Sequence, residues 1–157
     1  MVISSEVPGV VLRVVGVVRS PVEESVKRDR SSVVAEVEAA PAFEAALGHI
    51  EEFSHLIIVF WMNRVTPQER SVLEVRPMRD SRLPFVGVFA ARSPSRPNPI
   101  GVTTAGLLSR AGTVLRVRGL DAIDGTPVLD IKPCLPSDAP AELTVPAWLT
   151  EAWRRQG

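Results

Sequence analysis

Ile100-Gly101-Val102-Thr103-Thr104-Ala105-Gly106-Leu107-Leu108-Ser109, a break at Arg110-Ala111-Gly112, and Thr113-Val114-Leu115-Arg116-Val117-Arg118-Gly119 form the stretch that decides the fold. Both arms are rich in Val, Thr and Leu, which fit a pleated, half-buried surface. The break carries a glycine at the position where a tight turn needs one. The stretch therefore reads as a β-hairpin, with strands over Ile100 to Ser109 and Thr113 to Gly119 joined around Ala111-Gly112.

Working outward, the same character repeats. Thr126 to Ile131 reads as the last strand, and Ser137 to Pro140 as a link to a terminal helix over Ala147 to Arg155. That helix would bury Trp148, Leu149 and Trp153. Towards the N-terminus, Val86 to Ala90 is a strand and Val72 to Arg76 a short edge-like piece stopped by Pro77. His55 to Met62 is a nearly continuous apolar run, as expected of a strand buried on both faces. Pro41 to Leu47 has proline at its start, Ala, Glu and Leu inside and Gly48 after its end, which predicts a short helix. Ser32 to Glu38 alternates, with Val33, Ala35 and Val37 on one face and Glu36 and Glu38 on the other. Glu23 to Arg30 is charged and aperiodic, a loop. Val10 to Arg19 is a β-branched strand stopped by Ser20-Pro21.

About seven strands at short spacing, with few short helices, define a mainly β fold. Strands do not alternate with long helices, and no Gly-x-Gly-x-x-Gly follows a strand, so a doubly wound nucleotide-binding fold is excluded. The 157 residues amount to a single domain, 1–157, with a core over about 10–138 and a C-terminal helix over about 147–155. Hydrophobic residues make up 45% of the chain, enough for a sizeable core. No apolar run of about 18 residues exists, so no membrane span is expected. No signal-peptide pattern is read at the N-terminus, and a cytoplasmic location is the expectation.

Eighteen basic residues balance eighteen acidic ones, so the overall charge supplies no basic excess for nucleic acid. One cysteine, Cys134, excludes an intramolecular disulfide and a cysteine metal cluster, and with only two histidines no metal is expected. Tyrosine is absent, leaving Trp, Phe and His as the rings available for base stacking.

Three segments carry candidate chemistry. Between Gly87 and Gly101, Arg92-Ser93-Pro94-Ser95-Arg96-Pro97-Asn98-Pro99 packs three prolines and two arginines into eight residues. Each proline fixes its own φ and extends its predecessor, so the loop is stiff before any ligand arrives. Two guanidiniums and an amide on a stiff loop suit a carboxylate and a polar ring edge; the alternative is a connection with solvated arginines. In Leu120 to Pro133, Asp121 and Asp124 bracket the Asp124-Gly125 turn, and Asp130 follows on a strand. These carboxylates can accept from ribose hydroxyls or an amino group, or can be turn-formers, with Asp130 pairing Lys132 or an arginine. His55, after Glu52-Phe53-Ser54, opens the apolar strand; adjacency to Ser54 does not by itself make a hydrolytic triad.

Taken together, Gly16-Val17-Val18-Arg19-Ser20-Pro21, Phe53-Ser54-His55-Leu56, Gly87 to Gly101 and Asp121 to Pro133 resemble, in order and spacing, the TsaA-like family, also described as tRNA N6-threonylcarbamoyladenosine methyltransferases. The resemblance runs from about Val14 to Asp138, and the Arg-Ser-Pro-x-Arg-Pro-Asn-Pro-Ile-Gly and Asp-Gly-Thr-Pro-x-x-Asp-Ile-Lys-Pro strings are long and specific. It implies a small antiparallel β-barrel of six or seven strands, S-adenosyl-L-methionine as cofactor, and a homodimer with cofactor sites near the subunit interface. It implies cofactor contacts at Arg30, Asn63, Arg64, Arg92, Val102, Asp121, Ile123, Asp124 and Gly125. It also implies the tRNA anticodon loop as partner, with Arg96 and Asn98 on the substrate side and Arg96 meeting an RNA phosphate or the substrate's carboxylate. Asp124 or His55 is the candidate proton acceptor. The chain departs from the family pattern at Asp29-Arg30-Ser31, at Ala91 and at Cys134. Two alternatives stay open beside tRNA methylation: a methyltransferase acting on a small molecule, and an S-adenosylmethionine-binding protein without turnover.

Overall fold

The computed structural model describes residues 11–23 and 31–155. Eight strands occur there: β1 (Gly16–Arg19), β2 (Val34–Ala39), β3 (His55–Trp61), β4 (Glu74–Val75), β5 (Val86–Gly87), β6 (Ile100–Ala111), β7 (Val114–Arg118) and β8 (Pro127–Pro133). Six of them close into an antiparallel barrel in the ring order β1-β2-β7-β6-β3-β8, while β4 and β5 form a separate two-stranded ribbon.

The barrel follows from period-two burial. In β3, Leu56, Ile58 and Phe60 point inward and are buried, while Ile57, Val59 and Trp61 face outward and are half-buried. The expectation that this strand is buried on both faces is corrected: a single closed sheet has only one interior, so an apolar outer face is left half-covered. Val18, Val37, Ala105, Leu115, Val117 and Val128 complete the interior with 0% exposure, one or two from each of the other five strands. The hairpin forms as read, but β6 runs on to Ala111, with a register shift between Leu107 and Ser109 that lets this long strand bend.

Other elements refine the reading. Of the Val10 to Arg19 strand, only Gly16–Arg19 pairs as strand among the described residues, and Val10 lies outside them. Pro41–Leu47 is a 3₁₀ helix whose turns close from i to i+3. Val86 to Ala90 is strand only at Val86–Gly87, and Val88–Ala90 coils into a 3₁₀ turn. Two α-helices occur, α1 (Pro67–Arg70) and α2 (Ala147–Arg154). In α2, Ala152 is the buried residue and Trp153 is 51% exposed, so the predicted apolar side is rotated.

Register fixes which loops share an end of the barrel. The C-terminal ends of β1, β3 and β7 and the N-terminal ends of β2, β6 and β8 lie together. Connections 20–33, 62–99 and 119–126 all leave from that end. Leu120 and Ala122 of the last one are buried across the barrel mouth and seal it. His55 begins β3 at the other end, opposite Gly106 and beside Cys134, whose amide donates to the His55 carbonyl at 3.0 Å.

Candidate functional site

The acidic turn is stitched to β1. Ser20 N donates to Asp124 Oδ1 at 3.0 Å, Asp124 N to the Val22 carbonyl at 2.7 Å, and Gly125 N to the Val18 carbonyl at 2.9 Å. Gly125 sits at φ 73°, a conformation only glycine adopts cheaply, which lets the chain reverse into β8. Asp124 is thus more than a local turn-former: it holds the loop after the first Ser-Pro. It also borders an open cavity of about 470 Å³ on the β1-β2-β7 wall, with Arg19, Pro21, Glu36 and Arg116. Arg19 is paired with Glu38 at 2.8 Å, and that carboxylate raises the guanidinium's already high pKa. Asp121 is exposed and Ile123 half-buried.

The turn after β3 joins the same assembly. Asn63 and Arg64 are exposed there, and Arg64 Nη1 donates to the Glu23 carbonyl at 2.6 Å. Arg30 lies outside the described residues.

The proline-rich loop is braced from within. Arg96 donates from Nε to the Ser93 carbonyl at 2.9 Å and from Nη2 to the carbonyls of Val88 and Ala91 at 3.0 and 2.6 Å. Arg96, expected to meet a phosphate or a substrate carboxylate, turns these donors to the loop's own backbone. A loop with prolines at 94, 97 and 99 lacks those backbone donors, and Arg96 supplies the bonds its carbonyls need. Asn98 is exposed, and its carbonyl accepts from Ile100 N at 2.7 Å across buried Pro99. Arg92 is exposed and reaches the barrel wall, where Nη2 donates to the carbonyl of Val102, itself 45% exposed.

The structure therefore brings together the loop after β1, the turn after β3 and the Asp124 turn. Val102 shares that end of the barrel on β6, and Arg92 reaches its carbonyl from the connection before that strand. In the ring, β1 and β6 stand three places apart in either direction, so one chain places the arginine loop and the acidic turn on opposite walls. His55 joins neither: it is exposed at the far end, with Nδ1 3.0 Å from Ser54 Oγ. The seven residues of β3 separate His55 from the loop-bearing end by about 20 Å at strand rise, so of the two candidate acceptors Asp124 is the one at that end. Asp130 pairs with Lys132 at 2.6 Å, one of the two partners read from sequence.

Sequence reasoning missed α1 and Arg70. Thr66-Pro67-Gln68-Glu69 is a capping box: Thr66 Oγ1 accepts from Glu69 N at 3.3 Å and Glu69 Oε2 accepts from Thr66 N at 2.8 Å. That backbone bond, with the Thr66 hydroxyl, holds the Glu69 carboxyl below its usual range. The Thr-x-x-Glu spacing was the available signal. Arg70, the last residue of α1, lies over the Trp61 ring, 5.2 Å from its centroid.

A closed six-strand barrel with three of its connections gathered at one end is the architecture these strands define. The chain belongs to the tRNA-methyltransferase O N-terminal domain family, whose sequence pattern matches residues 19–138. A probable S-adenosyl-L-methionine-binding protein of Archaeoglobus fulgidus is 50% identical over 126 residues, 78% of this chain and 33% of that protein. Another from Methanothermobacter thermautotrophicus is 44% identical over 78% of this chain and 88% of its own. The Escherichia coli tRNA (adenine(37)-N6)-methyltransferase is 39% identical over 78% of this chain and 56% of that enzyme. The crystal structure of TrmO from Pseudomonas aeruginosa superposes with a TM-score of 0.73 at 29% identity, covering 90% of this chain and 62% of that one. The chain thus spans a third of the Archaeoglobus relative and about three fifths of the crystallised TrmO.

Among the described residues no helix is long and apolar enough to cross a membrane, and no group of His, Cys, Asp or Glu is arranged to hold a metal ion.

Proposed function

We propose that this chain binds S-adenosyl-L-methionine at the loop-bearing end of the barrel and transfers its methyl group to N6 of threonylcarbamoyladenosine beside the tRNA anticodon. The observation that carries the reading is the bonding of Asp124 and Arg64 to the single loop Ser20–Glu23, which joins three of the expected cofactor segments. The donor set suits this cofactor: acidic groups for ribose hydroxyls and an ammonium, a guanidinium for a carboxylate. A two-fold pairing that sets Arg92 of one copy against the Asp124 turn of another completes that set, and the half-buried outer face of Ile57, Val59 and Trp61 supports such a dimer.

The bound cofactor supplies an activated methyl on a good leaving group, so the chain's own task is alignment and exclusion of water. Asp124 holds the β1 loop and presents a carboxylate at the right end of the barrel to share the acceptor's N6 proton, whose removal raises the nitrogen's nucleophilicity. The anticodon-loop adenosine is reached unstacked, as single-stranded RNA. A cytoplasmic location accords with this substrate.

The test is incubation with labelled cofactor and tRNA from cells lacking the endogenous enzyme, followed by nucleoside mass spectrometry. A methylated threonylcarbamoyladenosine is expected; an unmodified nucleoside removes the tRNA reading. The second reading, cofactor binding without turnover, is favoured by the names of the archaeal relatives, which mention binding only. Calorimetric binding of S-adenosylhomocysteine with no methyl transfer to any tRNA would select it.

A further inference from the structure

Arg70 has an environment that its role as the end of a short helix does not explain. Its guanidinium is stacked on Trp61, and its Nε is buried with no hydrogen-bond partner. Among the described residues no carbonyl or carboxylate engages the side chain. A buried donor left unpaired is destabilising, and arginines held in place by proteins are ordinarily bonded, as Arg96 is here through three contacts. Arg70 is instead held by a flat aromatic surface, which fixes the plane of the fork without using its donors.

Its position is equally specific. Trp61 faces outward at the end of β3, opposite Ile100 and two pairs along, on the same face, from the Val59–Val102 pair. Arg92 is bonded to the carbonyl of that same Val102. The Asn63-Arg64 turn begins two residues after Trp61. Arg70 therefore stands on the outer face of the β3–β6 pair, near the expected cofactor contact Val102 and over the residue from which the chain leads into the Asn63-Arg64 turn.

We propose that Arg70, laid on Trp61, is a carboxylate-binding residue, the anionic subsite of this protein. A planar fork with one face covered by indole matches a planar two-oxygen partner in its own plane, and a small turn of the guanidinium brings the orphaned Nε into that pairing. The inference rests on the function proposed above, which offers two sources of such a group: the amino-acid end of the cofactor and the threonyl carboxylate of the acceptor.

The experiment is calorimetry on the full chain with two ligand pairs, each differing in the carboxylate. One pair is S-adenosylhomocysteine and its decarboxylated analogue; the other is threonylcarbamoyladenosine and its neutral threonine carboxamide. Wild type, Arg70→Met and Arg70→Lys are compared, with thermal unfolding as a control for folding. In one pair, Arg70→Met is expected to weaken the carboxylate ligand at least about tenfold, leave its carboxylate-free partner unchanged, and be partly rescued by Arg70→Lys. The pair affected identifies the source. Equal loss in both members of a pair, or no loss in any, overturns the subsite while leaving the cofactor reading intact. Wild-type protein that binds none of the four ligands overturns the functional reading and the subsite together.

Discussion

Ser20 and Asp124 lie 104 residues apart in sequence and are joined by a 3.0 Å hydrogen bond from the Ser20 amide to Asp124 Oδ1. The bond fastens the β7–β8 connection to the end of β1, so the acidic turn and the first loop move as one body. A residue that looks like a local turn-former is in fact a long-range clasp.

Asp124→Ala leaves the part-buried Ser20 amide unpaired, which should lower unfolding stability by about 1–3 kcal/mol. Asp124→Asn keeps an acceptor oxygen and should unfold close to wild type. If the carboxylate shares the acceptor's proton, the Asn variant nevertheless loses roughly 100-fold in methyl-transfer rate. An Asn variant with wild-type turnover assigns Asp124 to the clasp alone.

Arg92→Ala should weaken S-adenosylhomocysteine binding at least about tenfold by calorimetry. Because the arginine loop and the acidic turn occupy opposite walls of one chain, Arg92→Ala and Asp124→Ala copies, mixed and allowed to exchange, should regain binding in a fraction of sites. Mixtures as inactive as their parents would place both residues in the same chain's pocket.

His55→Ala should leave cofactor affinity within about twofold of wild type, since His55 is a full strand length from the loop end. A large loss would bring the far end of the barrel into the site.

Asp80 is clamped by Arg82 through a bidentate pair, with contacts of 2.7 to 3.1 Å, and this guanidinium holds its carboxyl well below the usual carboxylate range. In the window between its ordinary and its folded pKa, the unfolded chain binds the extra proton. The pairing therefore stabilises the fold above about pH 4 and is lost as the medium is acidified further. Asp80→Asn should lower thermal stability at neutral pH and flatten the acid limb, so that variant and wild type converge as the pH falls well below about 4. An unchanged acid limb would show that the pair carries no linkage.

Gly101 ends the Pro-Asn-Pro-Ile-Gly string, and a Cβ there would run into the Phe60 ring across the β3–β6 pair. Gly101→Ala should cost about 1–3 kcal/mol through overpacking, and Phe60→Leu in the same chain should recover part of it. Additive losses in the double variant would sever the two positions.

The strands were legible because their periodicity and their turn residues agree. Leu115 and Val117 alternate with Arg116 and Arg118, and Gly112 takes a φ of 59° at the hairpin turn. Two features escaped for tertiary reasons. Ile57, Val59 and Trp61 are as apolar as the residues between them, so sequence cannot say which face a closed sheet leaves outside. Val88–Ala90 has strand composition, but the carbonyls of Val88 and Ala91 are claimed by Arg96 from the following loop. The candidate site was legible only as separate segments. That Asp124 and Arg64 converge on Ser20–Glu23, while Arg92 departs towards β6, is set by the ring order of strands far apart in the chain.

Closure of the six strands also governs how the molecule can meet its neighbours. A ring has no terminal strand, so its main-chain donors and acceptors offer no template onto which another polypeptide could zip. Outside the ring, among the described residues, only the two-residue strands β4 and β5 present free margins, too short to seed a fibre. Association through the barrel is thus left to side-chain surfaces instead of open strand edges.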